Sequence, residues 1–385
     1  MYHRIGNRIG RFLAPVAVVA LTLLCFLPSL KGGFLNWDDE PYIVDEYRYR
    51  GLGWEELRWM STTLLGGPYQ PLTWLSFAFD YHAWGMDPWG FHLGNLLLHA
   101  LNSLLFYLLC LRLFMFSSGE PPPGGREPPL HWAAAFSALL FSLHPLRVES
   151  VAWVIERKDV LSGAFFLAAL NAYAGLHPPA GVSAPRRLLA ALVPVLYACS
   201  LLSKAVAVTF PALLLLLDIH PLRRLGPDPR SWAEPGPRRI LSEKMPYLLL
   251  AVAAGAVNFL GQYRHASMPS LGQMGVLERL LSALYSLGFY AGKTLVPTGL
   301  SPLYPRPETA QWIEPRFLLT AAGGLLLLAL AIRLRKRLPS LAATAASYAI
   351  LLAPVSGLVP FGGALAADRY SYLSCLPLAA LAGGG

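Results

Sequence analysis

The chain has 385 residues, of which 55% are hydrophobic and 14% charged. A soluble domain carries about a quarter charged residues, so this composition excludes an ordinary soluble globular protein. The net charge of +9 raises the question of nucleic acid. Its basic residues, however, gather at 4–11, 186–187, 223–244 and 333–337, beside apolar runs. That is the pattern of cytoplasmic membrane loops, and it predicts no nucleic-acid groove. Cys25, Cys110, Cys199 and Cys375 all lie inside apolar runs without Cys-x-x-Cys spacing. No disulfide framework or zinc site is expected.

In chain order, residues 11–30 form the first apolar run, long enough for a bilayer core of about 30 Å. Arg4, Arg8 and Arg11 precede it and keep the N-terminus cytoplasmic. Pro28-Ser29-Leu30-Lys31 is a poor small-residue cleavage site, so the run reads as a retained anchor. Further spans are expected at 91–116, 131–146, 160–177, 187–202, 204–219, 246–262, 277–297, 316–332, 340–358 and from 370 onward. The chain thus reads as all-α and polytopic, with about 10–11 membrane segments.

The pair 187–202 and 204–219 is short, and Arg186-Arg187 before it and Arg223-Arg224 after it should share a side. Two short helices with Ser203-Lys204 at the outer tip satisfy that. The basic runs 223–244 and 333–337 should also share a side, yet three expected spans separate them. Residues 277–297, with Glu278, Arg279 and Lys293, are therefore expected to lie in the interface or re-enter.

The outer loops are then 31–90, 147–159, Ser203-Lys204, 263–315 and 359–369. Residues 54–65 suit an amphipathic interfacial helix. Residues 117–130 and 225–240 read as Pro/Gly-rich connectors. No internal repeat of 20–50 residues is present. The closing Ala-Gly-Gly-Gly at 382–385 falls inside an apolar run, which is expected of a fragment.

The charged constellations cluster on the outer loops. Asp38-Asp39-Glu40 follows the first span closely; the plainer reading is a solvated loop start. Carboxylates near a membrane otherwise need water, a metal or a cation. One can act as a general base while its neighbour holds a divalent cation. Mg or Mn is the expected ion, with Asp38, Asp39 and Glu149 as candidate ligands.

Residues 144–159 hold His144, Arg147, Glu149, Glu156, Arg157, Lys158 and Asp159 between two apolar runs. The plain alternative is an outer loop whose Asp159 caps the next helix. Positive charge on an outer loop runs against the positive-inside trend, and Arg157 and Lys158 suit a phosphate.

Lys204, between two apolar runs, needs an anion. Asp218, a headgroup and a substrate phosphate are the alternatives. Asp368-Arg369-Tyr370 is a similar island, and Arg264-His265 a weaker one. His82, His92 and His99 lack metal-ligand spacing. His99 and Asn102, one turn apart, read as interhelical hydrogen-bonding residues.

Six blocks occur in a familiar order: FLNWDDEPYI, YQPLTWLSFAFDYHAWGMDPWGFHLGNLLLHALNSLL, HPLRVESVAWVIERKDVLSGAFF, LLSKAVAVTFPALLLLLD, GKTLVPTGLSPLYP and ADRYSYL. They cover nearly all of 31–377. The chain resembles the membrane half of the transmembrane and tetratricopeptide-repeat-containing O-mannosyltransferases and their bacterial homologues.

The resemblance implies one GT-C glycosyltransferase domain over 1–385, using a polyprenyl-phosphate sugar and a protein Ser or Thr acceptor. It maps the acidic motif of the first outer loop onto Asp38 and Asp39. Glu149 and Glu156-Arg157-Lys158-Asp159 map onto lipid-phosphate and reaction-centre contacts, and Lys204 and Arg369 onto further phosphate contacts. Glu40 and His144 are supporting candidates. The family's tetratricopeptide repeats are absent from this chain. Short loops point to a bacterial inner (plasma) membrane, with the site on its outer face. A transporter or flippase of a lipid-linked sugar, or a non-catalytic membrane scaffold, are the alternatives.

Overall fold

The computed structural model describes residues 2–118, 129–178, 185–265, 268–308, 311–312 and 314–384. In chain order the helices are α1 (Tyr2–Phe26), α2 (Trp54–Thr62), α3 (Pro71–Trp84), α4 (Pro88–Ser118), α5 (Leu130–Ser142), α6 (Val148–Ala152), α7 (Arg157–Leu176) and α8 (Arg186–Ser203). There follow α9 (Phe210–Ile219), α10 (Pro235–Ser242), α11 (Met245–Arg264), α12 (Val276–Leu295), α13 (Pro315–Leu334), α14 (Pro339–Leu352), α15 (Ser371–Ser374) and α16 (Leu376–Gly384). Proline opens α3, α4, α13 and α14, where its missing N–H removes no helical hydrogen bond.

Six helical segments among the described residues are long and apolar enough to cross a membrane: Gly10–Lys31, Pro88–Ser117, Val154–Leu176, Arg186–Ser203, Pro235–Arg264 and Pro315–Leu334. Leu130–Ser142, Ala205–Ile219 and Pro339–Val355 are apolar but shorter. The protein is an all-α, polytopic membrane protein. Among the described residues the only β-structure is a two-stranded antiparallel ribbon, β1 (Tyr304–Pro305) with β2 (Ala364–Ala366). The ribbon clips the 263–315 and 359–369 loops together.

The sequence reading gains detail at several places. Residues 277–297 hold a single unbroken helix, α12, packed on α13. A Cβ on Gly288 would sit 2.1 Å from the Thr320 carbonyl, and one on Gly324 2.1 Å from that of Leu284. Two glycines therefore let the backbones touch, as in small-residue membrane interfaces. Residues 225–240 carry α10 and a 3-10 turn over Pro229–Ala233 rather than an unstructured connector. The segment from 370 opens as two short helices broken at Cys375. Most of 117–130, the side chains of Arg4 and Arg8, and Gly385 lie outside the described residues.

Helix α7 is the axis of the bundle, with most of its faces buried. It runs against α8, where Ser162 Oγ meets the Ser200 carbonyl at 3.0 Å and Ser200 Oγ at 2.9 Å. The first turn of α7 therefore lies beside the end of α8, and charged residues from both meet there.

Candidate active site

Asp159 stands in the first turn of α7 and Lys204 just beyond the last turn of α8. Each complements the helix end on which it sits, and the packing of α7 on α8 brings them together. The Lys204 ammonium pairs with Asp159 and lies 3.5 Å from Glu156 Oε2. Lys158 Nζ and Arg369 Nε each lie 3.3 Å from Glu156 Oε1. Arg369 also holds Glu149: its backbone N–H donates to Oε2 at 2.6 Å, and its Nη1 pairs with Oε1. Ser150 Oγ donates to Asp159 Oδ2 at 3.2 Å.

Three cations thus meet three carboxylates, and they are layered. The Lys158, Lys204 and Arg369 side chains are 16–19% exposed, against 1–7% for Glu149, Glu156 and Asp159. The acids are thus the more deeply buried partners and the cations the more exposed ones.

The ribbon fixes Arg369 from the other side. Tyr304 Oη donates to Asp368 Oδ1 at 3.0 Å, and Arg369 Nη1 donates to the Pro302 carbonyl at 3.0 Å. Burial pushes the Glu149 carboxyl up, to about 7, with Arg369 opposing and Glu156 reinforcing the shift.

The adjacent aspartates have different surroundings. Asp39 is buried; its Oδ2 accepts the Leu35 N–H and its Oδ1 the Ile155 N–H, both at 2.9 Å. It staples the loop that follows α1 to the turn carrying Glu156. Burial raises its carboxyl above the usual range against those two amides. Asp38 is half-buried, and its carboxylate makes no hydrogen bond among the described residues. Beside it, the Trp37 ring stacks on that of Trp153 at 5.5 Å between centroids. The Arg369 guanidinium lies 5.6 Å from the Trp153 ring. Glu40 is exposed, opening a single π-helical turn.

Arg157 and His144 are placed elsewhere. Arg157 is 2% exposed, and its guanidinium donates to Asn95 Oδ1, to Asp80 Oδ2 at 2.6 Å and to the Phe91 carbonyl at 2.7 Å. A Cβ on Gly94 would collide with that guanidinium, so the glycine makes its room. This fork locks α3 and α4 to α7, with Nε and Nη2 committed to those three partners and the guanidinium buried. His144 Nδ1 accepts the Leu146 N–H, so its Nε2 donates to the Thr294 carbonyl at 3.0 Å.

Lys204 does not pair with Asp218. That carboxylate is claimed at the far end of α7 by Tyr173 (2.7 and 2.8 Å), Lys244 (2.7 Å) and Arg224 (3.0 Å). Sequence reasoning missed Asp80 and the Trp37–Trp153 pair. A carboxylate inside apolar FAFDY was the available signal, since it needs a cation.

Among the described residues, no group of three or more His, Cys, Asp or Glu is arranged to hold a metal ion. Both oxygens of Asp39 serve backbone amides and both of Glu149 face Arg369. Asp38, Asp39 and Glu149, as placed, do not fit a resident divalent cation.

No protein-family model matches the chain. Part of it is similar to curated protein O-mannosyl-transferases. It is 33% identical to TMTC4 of Mus musculus over 183 residues, 44% of this chain and 24% of that protein. It is 35% identical to tmtc2 of Xenopus laevis over 220 residues (55% and 25%) and 30% to TMTC1 of Homo sapiens over 261 (60% and 27%). The chain is homologous to the TMTC protein O-mannosyl-transferases. It spans about a quarter of the length of these TMTC relatives.

Proposed function

We propose that this protein transfers a sugar, mannose or another hexose, from a polyprenyl-phosphate donor to a Ser or Thr hydroxyl of an acceptor protein. The observation that carries the reading is the cation layer of Lys158, Lys204 and Arg369 over buried carboxylates, with Asp38 unbonded nearby. The names of the TMTC relatives support the same chemistry. The N-terminus is cytoplasmic in this reading, and the site opens on the outer or lumenal face of the membrane.

Asp38 takes the proton of the acceptor hydroxyl as its oxygen attacks the anomeric carbon. The bond from that carbon to the phosphate oxygen breaks, and the electron pair leaves with the lipid phosphate. Lys158, Lys204 and Arg369 receive the growing negative charge. Each well-placed donor is worth about 3 kcal/mol, judged from oxyanion-hole deletions. Direct displacement inverts the anomeric centre.

The test is transfer from radiolabelled polyprenyl-phosphate sugars to Ser/Thr peptides by the full-length protein in proteoliposomes, beside Asp38→Asn. Transfer by wild type and its loss in a folded Asp38→Asn supports the reading. Lipid binding without transfer overturns it in favour of flipping a lipid-linked sugar, and transfer that survives Asp38→Asn overturns Asp38 as the base.

A further inference from the structure

The outer site contains an aromatic pair that the proton and phosphate chemistry above does not use. Trp37 is 47% exposed although its ring stacks on buried Trp153, at an interplanar angle of 29°. Both tryptophans are held by the backbone. Asp39 clips Leu35 on one side and Ile155 on the other, and Asn95 Nδ2 donates to the Trp153 carbonyl at 3.0 Å. Large exposed tryptophans on a membrane protein are ordinarily interfacial anchors. Trp54, 79% exposed, and the Trp84–Trp89 pair fit that description. Trp37 differs because the ring it stacks on is also covered by a cation of the site, Arg369. Its chain neighbour is the unbonded Asp38.

We infer that Trp37 is the platform on which the transferred sugar rests, so that the Trp37–Trp153 pair selects a sugar-bearing lipid phosphate over a bare one. The inference builds on the glycosyl-transfer reading. Consecutive separations of 5.6 Å from Arg369 to Trp153 and 5.5 Å from Trp153 to Trp37 keep the exposed ring in the neighbourhood of Arg369, a span that a phosphate and the sugar it carries can bridge. An aromatic face carries negative quadrupole and attracts the positively polarised C–H face of a pyranose. As the bond to phosphate breaks, the sugar gains oxocarbenium character, which a π-face favours further.

The experiment measures binding of polyprenyl-phosphate mannose and of bare polyprenyl phosphate to the full-length protein in nanodiscs, with donor and acceptor KM determined in parallel. Trp37→Ala is expected to weaken the sugar-bearing lipid about tenfold and leave the bare lipid unchanged. Trp37→Phe keeps a π-face and stays within about threefold. Trp54→Ala serves as the anchor control and matches wild type. Equal weakening of both lipids, a rise confined to the acceptor KM, or no change overturns the role of Trp37 while glycosyl transfer stands. A wild type with no preference for the sugar-bearing lipid also overturns the role of Trp37, whereas a wild type that transfers no sugar removes the glycosyl-transfer reading.

Discussion

Replacing Asp39 by asparagine separates two roles that neighbouring carboxylates share in the sequence. Each Asp39 oxygen accepts one backbone N–H at 2.9 Å, from Leu35 and from Ile155. Asparagine offers one carbonyl oxygen, so one of those amides faces an NH2 group. A hydrogen bond to a charged acceptor contributes about 1.5–3 kcal/mol, and a stranded buried amide costs about 1–3. These describe overlapping losses, so about 2–3 kcal/mol is the expected destabilisation. At this chain length that lowers the melting temperature by a few degrees.

Asp38→Asn removes a carboxylate with no hydrogen bond to lose, and its stability stays within about 0.5 kcal/mol of wild type. Its transfer rate falls by about a hundredfold or more, as expected for loss of a general base. Melting in nanodiscs and transfer in proteoliposomes are measured on the same preparations. An Asp39→Asn protein as stable as wild type, or an Asp38→Asn protein destabilised as strongly, refutes the division of labour.

Three other perturbations probe the site. Lys204→Met strands the buried Glu156 and Asp159 carboxylates and should cost about 3–5 kcal/mol, with Asp159→Asn on the same background restoring much of the melting temperature but not lipid-phosphate binding. Arg157→Lys loses the fork that holds Asn95, Asp80 and the Phe91 carbonyl, so thermal stability falls by about 1–3 kcal/mol while affinity for the sugar lipid is kept; a donor-specific affinity loss would return Arg157 to the phosphate site. Because burial raises the Glu149 carboxyl from 4.5 to about 7, the folded protein holds its proton across that window, so this group's contribution to stability falls as pH rises between them. Above pH 7 its negative charge opposes the donor; phosphodiester binding should strengthen severalfold from pH 8 to pH 6, and Glu149→Gln should flatten that profile.

Much of this architecture was legible because lipid makes polarity expensive. Apolar runs marked the helices, and charges stranded between them marked 144–159, Lys204 and Asp368-Arg369 as places where partners must meet. The partners themselves were not legible. Arg157 and Lys158 are neighbours in sequence, yet successive helical residues do not share a face. One turns inward to Asp80 and the other to Glu156. Asp218 was one of the alternatives for Lys204, but the short turn Ala205–Thr209 and helix α9 between them carry the chain away from Lys204. The division between Asp38 and Asp39 depends on which backbone amides the turn presents, and adjacent identical residues give no hint of it.

The balance of three cations against three carboxylates has a functional consequence. Uncompensated cations at the edge of a bilayer are costly, so a phosphate site there needs resident counter-charge when empty. The same counter-charge weakens the attraction for a phosphodiester unless it lies farther from the ligand than the cations do. Here the carboxylates are the more deeply buried partners, which gives that ordering. Burial raises the Glu149 carboxyl to about 7. Its uptake of a proton would leave the layer with a net charge of about +1 just as an anion arrives. The site can therefore stay neutral when empty and become attractive when occupied, without moving any helix.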